Sequence, residues 1–120
     1  LVETIGIVQE VDEEQLHTVT GLSGSGPAYV YFFVEALEAA AIQEGLDPKT
    51  ARELAIQTIK GAALMLEQTG EQPATLRERV TSPNGTTAAG LDALREHQFA
   101  ETIHACVQAA KQRSIELGKA

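Results

Sequence analysis

The chain has 120 residues, of which 43% are apolar and 22% charged, and its length suits one compact globular unit. Seventeen acidic residues against nine basic ones give a formal net charge of −8, which argues against nucleic-acid binding because that needs clustered Lys and Arg. No apolar run has membrane length, and the single cysteine, Cys106, excludes an intramolecular disulfide. We therefore expect a cytoplasmic protein that binds neither nucleic acid nor a membrane.

Small side chains dominate the apolar content. There is no Trp, and Phe and Tyr together number five, whereas Ala recurs in pairs and triplets such as 39–41 and 88–89. Ala has the best intrinsic helix propensity, and aromatic and β-branched residues are those that favour strands. The composition therefore predicts an all-α fold.

The first 11 residues differ from the rest. Residues 5–11 form a short apolar run that is either a lone strand or a linker, and we assign residues 1–11 to the end of a preceding domain. Residues 12–120 are predicted to form the all-helical domain. Its first helix begins at Asp12, where three acidic residues favour a helix start, and ends near Gly21.

A long helix is predicted over residues 27–42. Ser25 or Gly26 precedes it, Pro27 lies in its first turn, and Gly45 follows its end. Glu35 and Glu38 are its only charges, so nearly the whole circumference of this helix must be covered by protein. One small domain covers such a helix poorly.

Four further helices follow from apolar periodicity and end signals. They lie over 48–68, 73–80, 86–95 and 99–118, the first of them after the Asp47-Pro48 pair and before Thr69-Gly70. Gly61 lies inside that helix, where glycine costs about 1 kcal/mol relative to Ala. We expect Gly61 to contact another backbone closely.

The turn Ser82-Pro83-Asn84-Gly85-Thr86-Thr87 is the main candidate site. A Pro/Asn/Gly turn that opens into a helix directs several unpaired backbone N–H groups at one point, which attracts anions such as a carboxylate. Asn84 and Gly85 tolerate left-handed backbone conformations, and Thr86 or Thr87 is expected to cap the helix. The two adjacent hydroxyls favour a binding site over a purely structural turn.

Other motifs favour structural roles. Gly24-Ser25-Gly26 lacks the third glycine and the preceding strand of a dinucleotide-binding loop, so it is interpreted as a helix entry. His17, His97 and His104 lie far apart, and no metal site is expected. Cys106 is interpreted as a small buried apolar residue, and the Glu35–Glu38 pair as solvated rather than catalytic.

The chain resembles the C-terminal domain of the pyrroline-5-carboxylate reductases along nearly its whole length. Three segments carry the resemblance: Leu22-Ser23-Gly24-Ser25-Gly26-Pro27-Ala28-Tyr29-Val30, the Glu35-Ala36-Leu37 helix leading to Gly45-Leu46, and Val80-Thr81-Ser82-Pro83-Asn84-Gly85-Thr86-Thr87. Asn84 departs from the pattern, which usually has glycine there. Asn tolerates positive φ nearly as well, so the turn is expected to survive.

The resemblance implies an interlocked homodimer, in some members assembled into decamers, that reduces a cyclic imino acid to L-proline. It implies that the amides of Gly85 and Thr86 hold the substrate carboxylate, that the hydroxyl of Thr87, the catalytic candidate, bonds the ring nitrogen, and that Ser82 shapes the turn. NADPH or NADH would bind to a Rossmann domain preceding Leu1 and not to these residues, so the chain alone is expected to be inactive. A non-enzymatic dimerisation module and the helical domain of a related NAD(P)-dependent dehydrogenase are the alternatives.

Overall fold

The computed structural model describes residues 12–119. The predicted strand at 5–11 and the domain boundary at residue 11 lie outside them, so that boundary stays a prediction. Six α-helices and a π-helical turn over Thr20–Gly24 make up the described chain, with these bounds: α1 Glu13–Val19, α2 Gly26–Gln43, α3 Pro48–Thr69, α4 Pro73–Arg79, α5 Thr86–Glu96 and α6 Phe99–Gly118. The all-α prediction is confirmed. None of these helices is long and apolar enough to cross a membrane.

Local capping explains where α1 and α3 begin. Asp12 precedes α1 and forms a reciprocal capping box with Gln15, whose N–H donates to the Asp12 carboxylate at 2.8 Å. Asp47 precedes α3 and accepts a 3.1 Å hydrogen bond from the N–H of Thr50, with Pro48 in the first turn. α3 ends at Gly70, whose φ of 66° is left-handed. These boundaries agree with the prediction.

The chain divides into two compact units, where we expected one. Of the described residues, the first unit contains 12–31 and 98–119, and the second is Phe32–His97. The division falls within α2, between Tyr31 and Phe32. Phe32 in α2 is 73% exposed, and Ala51 and Ala55 are the two buried hydrophobic residues of the described chain.

In the first unit, the π-helical turn packs tightly against α6. Gly21 is buried there, and a Cβ added to it would lie 2.8 Å from the carbonyl oxygen of Val107 and 3.1 Å from the nitrogen of Lys111. α1 is linked to α6 by a 2.8 Å contact between Nδ1 of His17 and Oγ of Ser114. Backbones this close exclude any side chain at position 21.

The second unit carries α3, α4 and α5 together with the C-terminal part of α2. Arg52 Nε on α3 donates a 2.6 Å hydrogen bond to the carboxylate of Glu38 on α2, which raises the pKa of that guanidinium above its ordinary value. The close backbone contact expected at Gly61 is not found: nothing in the described chain lies within 4 Å of a Cβ added there.

The two glycines allow a matched test of close packing. We expect Gly21→Ala to lower the free energy of unfolding by about 1–3 kcal/mol, because the new methyl group overlaps a backbone carbonyl. Gly61→Ala is the control, with an expected gain of up to about 1 kcal/mol from helix propensity. Denaturant unfolding of the two variants measures both values, and equal losses would contradict the close approach at Gly21.

Candidate functional site

A hydrogen-bonded turn joins α4 to α5. The carbonyl of Ser82 accepts a 3.0 Å hydrogen bond from the N–H of Gly85, with Pro83 and Asn84 between them. Asn84 has a φ of 62°, so proline at the second position precedes a left-handed residue at the third, which is the pattern of a type II turn. The expected left-handed conformation of Asn84 is confirmed.

Gly85 is the residue that precedes α5, and the expectation that Thr86 or Thr87 caps this helix is wrong. Gly85 has φ −88° and ψ −175°, so helical dihedrals begin at Thr86, and no side chain caps the helix. Position 85 does not require a left-handed backbone conformation, because its φ is negative. A Cβ there would lie 3.2 Å from the carbonyl oxygen of Ser82, so glycine lets the chain fold back closely onto the turn.

The unpaired amides lie one residue later than the sequence indicated. The N–H of Gly85 is engaged by Ser82, and the first helical hydrogen bond runs from the N–H of Ala89 to the carbonyl of Gly85. Within residues 12–119, the N–H groups of Thr86, Thr87 and Ala88 have no acceptor. These three donors lie at the positive end of an 11-residue helix, which favours an anion.

Three hydroxyl groups lie beside those amides. Ser82, Thr86 and Thr87 are all exposed, and none of their hydroxyls hydrogen-bonds to another group in the described part of the chain. Thr81, by contrast, uses its hydroxyl to bond the carbonyl of Arg77 at 2.5 Å. The site therefore offers backbone donors together with hydroxyls that can donate or accept. The sequence analysis did not include the Ala88 amide among the donors. It could have been found by counting three residues on from Gly85, because the first N–H groups of a helix have no acceptor within it.

The remaining polar candidates have structural partners. Nδ1 of His97 lies 3.0 Å from the carbonyl of Ala93 at the end of α5, and Glu38 is paired with Arg52. The described residues contain no cluster of three or more His, Cys, Asp or Glu side chains with the geometry of a metal site. We therefore assign His97 and Glu38 structural roles.

The Gly24-Ser25-Gly26 segment leads into α2, as the helix-entry interpretation predicted. Partial burial raises the pKa of the Tyr29 phenol above its ordinary value, and this phenol lies beside the Ser25 hydroxyl and the Cys106 thiol. Cys106 is only half-buried. The prediction that Cys106 is a small buried apolar residue is therefore only partly confirmed, and Tyr29 is its polar neighbour.

An apolar groove of about 370 Å³ lies between the C-terminal half of α3 and α4. Its apolar lining comes from Met65, Leu66, Pro73, Leu76 and Val80. Arg77 and Arg79 also line it. Met65 and Leu66 lie on the apolar face of α3 and are 50% and 39% exposed.

Several known proteins are similar to this chain over nearly its whole length. The family model described as "Pyrroline-5-carboxylate reductase dimerisation" matches residues 13–117. Pyrroline-5-carboxylate reductase 2 of Bacillus subtilis (strain 168) is 50% identical over 117 residues, which cover 98% of this chain and 42% of the relative. Pyrroline-5-carboxylate reductase of Arabidopsis thaliana is 44% identical over 115 residues, covering 96% and 42%.

Solved structures agree in fold. Pyrroline carboxylate reductase of Plasmodium falciparum, crystallised with NADP bound, superposes with a TM-score of 0.89 at 37% identity, covering 94% of this chain and 43% of that one. Pyrroline-5-carboxylate reductase of Coxiella burnetii gives a TM-score of 0.86 at 41% identity, covering 90% and 40%. The chain thus spans about two-fifths of the length of these relatives. With its sequence and its fold both matched, the chain belongs to the pyrroline-5-carboxylate reductase dimerisation family.

Proposed function

We propose that this chain is the dimerisation and substrate-binding part of an oxidoreductase that reduces 1-pyrroline-5-carboxylate to L-proline with NADPH or NADH. The names of the similar proteins support the reaction. The single observation that carries the site is the start of α5, where the N–H groups of Thr86, Thr87 and Ala88 are unpaired within the described residues. An imino acid has the carboxylate that such donors favour.

In this proposal, the substrate carboxylate accepts hydrogen bonds from the amides of Thr86 and Thr87. This changes the donor set expected from the sequence, because the Gly85 amide already donates to Ser82. Gly85 contributes instead by having no side chain, so that the anion approaches the backbone closely. Ser82 fixes the turn through its carbonyl and places its exposed hydroxyl beside the same amides.

Thr87 is the proposed catalytic residue. Its hydroxyl lies one residue beyond the first free amide, so a ring held by its carboxylate can present its nitrogen to that oxygen. A hydrogen bond donated by the Thr87 hydroxyl to the ring nitrogen would orient the C=N bond and stabilise the electron pair that develops on nitrogen as the carbon accepts hydride, and a proton from solvent would complete the amine. A bound nicotinamide cofactor supplies the hydride.

The cofactor is proposed to bind elsewhere in the protein. A Rossmann site needs a strand followed by a glycine-rich turn into a helix, and the described residues form helices and turns. No residue of this chain is assigned to hold NADPH or NADH. We therefore propose that the chain alone binds the imino acid without reducing it. We also propose a cytoplasmic location, because a chain with a single cysteine has no intramolecular disulfide and suits a reducing compartment.

A homodimer is the proposed minimal assembly, with a decamer as a larger form built from it. The exposed apolar side chains of α2 support self-association, since Tyr31 and Phe32 are 70% and 73% exposed. The same observation favours the second candidate function, a helical dimerisation module without a catalytic role. Kinetics of variants at position 87 separate the two.

Thr87→Val tests the catalytic assignment in the full-length protein. We expect kcat/KM for pyrroline-5-carboxylate to fall about 5- to 150-fold, which corresponds to about 1–3 kcal/mol lost when the ring nitrogen has no partner. Thr102→Val is the control, because the hydroxyl of Thr102 bonds the carbonyl of Gln98 within α6. Unchanged kcat/KM in Thr87→Val would exclude the role.

Asn84→Val tests whether the turn must keep its left-handed residue. A β-branched side chain is unfavourable at the φ of 62° found here, so we expect a loss of about 1–2 kcal/mol in stability and a raised KM. Asn84→Gly is the matched control and should keep both values near those of the parent protein. Steady-state kinetics and thermal unfolding provide the two readouts, and a valine variant with normal KM would contradict the proposed geometry.

A further inference from the structure

Thr81 joins the end of α4 to the Ser82 turn, and two hydrogen bonds attach it to α4. Its N–H donates to the carbonyl of Glu78 at 3.1 Å, and its hydroxyl donates to the carbonyl of Arg77 at 2.5 Å. The last carbonyls of a helix lack donors within the regular helical pattern, so they are free to accept these bonds. Thr81 is half-buried, whereas Val80 before it is 70% exposed. The end of α4 therefore holds Thr81 by both its main chain and its side chain.

The backbone between Thr81 and the turn has little freedom. Ser82 precedes a proline, which restricts Ser82 to extended conformations, and the ring of Pro83 fixes the next φ. The carbonyl of Ser82 then accepts the 3.0 Å hydrogen bond from the N–H of Gly85. Because these links are stiff, the placement of Thr81 determines where the Ser82 carbonyl points and hence where α5 begins.

The side chains of the turn provide no comparable attachment. Ser82, Pro83 and Asn84 are all exposed. Within residues 12–119, the hydrogen bonds of Thr81 are those that join the first part of this connection to the carbonyls of α4. The hydroxyl of Thr81 is thus the side-chain group by which α4 supports the turn.

We propose that Thr81 is a positioning residue for the substrate site: its hydroxyl, bonded to the end of α4, fixes the Ser82 carbonyl where it engages the Gly85 amide. The free N–H groups at the start of α5 then keep the direction in which they bind the carboxylate. The inference rests on the proposed function and adds a residue that serves the same site without touching the substrate. Donors held in place bind at a lower cost, so loosening the turn weakens carboxylate binding.

Thr81→Val tests the role of the hydroxyl in the full-length protein with little change in side-chain volume. We expect KM for pyrroline-5-carboxylate to rise about fivefold, which corresponds to one lost hydrogen bond, while kcat stays within about twofold because the Thr87 hydroxyl is retained. Thr81→Ser keeps the hydroxyl and should return KM to within about twofold of the parent value. Thr58→Val is the matched control, because the hydroxyl of Thr58 bonds the carbonyl of Leu54 inside α3 at 2.7 Å, and its KM should equal that of the parent protein.

Hydrogen exchange of the Gly85 amide, measured without substrate, is the second readout. We expect exchange about fivefold faster or more in Thr81→Val, because the turn opens more often, and parental exchange in Thr81→Ser and Thr58→Val. Parental KM and exchange in the valine variant, a serine variant as impaired as the valine one, or a raised KM without faster exchange would each overturn the role of Thr81. Faster exchange with an unchanged KM would support its hold on the turn and contradict the proposed substrate site instead.

Discussion

The hydrogen bond from the N–H of Gly85 to the carbonyl of Ser82 determines what the site can do. It closes the turn that contains Pro83 and the left-handed Asn84. It also occupies the Gly85 amide, which would otherwise be the first of the free donors. Helical geometry then starts at Thr86, so the N–H groups of Thr86, Thr87 and Ala88 have no partner inside the described chain. In the proposed function, the start of α5 is a cluster of donors that already points at one place, and such preorganisation lowers the cost of binding a carboxylate.

A second constraint is the shortage of buried surface. Ala51 and Ala55 are the buried hydrophobic residues of the described chain, and large apolar residues on α2, α3 and α6 remain exposed. A chain of this length has a small core, and we propose that burial against another copy adds to the stability of these helices. α4 lines the apolar groove and is followed by the turn at which we propose that the substrate binds.

The sequence predicted the features that depend on neighbours along the chain. Asp47-Pro48 and Gly70 determine the ends of α3 by capping and backbone preference, and Pro83-Asn84-Gly85 determines a turn, so their positions could be derived from local rules. The features that depend on distant residues were predicted wrongly or missed. Gly61 was expected to touch another backbone, but Gly21 is the glycine that does so, against α6. Residue identity does not reveal which helix crosses at a given glycine.

At the site, the residue at which α5 begins could not be predicted from the sequence either. The identity of Gly85 and Thr86 suggested that both amides bind the anion, but the ψ of −175° at Gly85 decides where the helix starts and hence which amides are free. If the helix starts one residue later, a different set of amides is free, although the sequence motif is the same. The groove between α3 and α4 was not predicted, because an apolar stripe such as that of Met65 and Leu66 does not show whether it is covered within the chain or by a partner.

The most direct test is a titration of the ¹⁵N-labelled protein with L-proline, followed residue by residue in amide NMR spectra. Our account predicts that the largest changes occur at Thr86 and Thr87, with a smaller change at Ala88, while the Gly85 amide keeps the chemical shift of a group bonded within the turn. Saturable changes centred on another part of the chain, with Thr86 and Thr87 unaffected, would contradict the account.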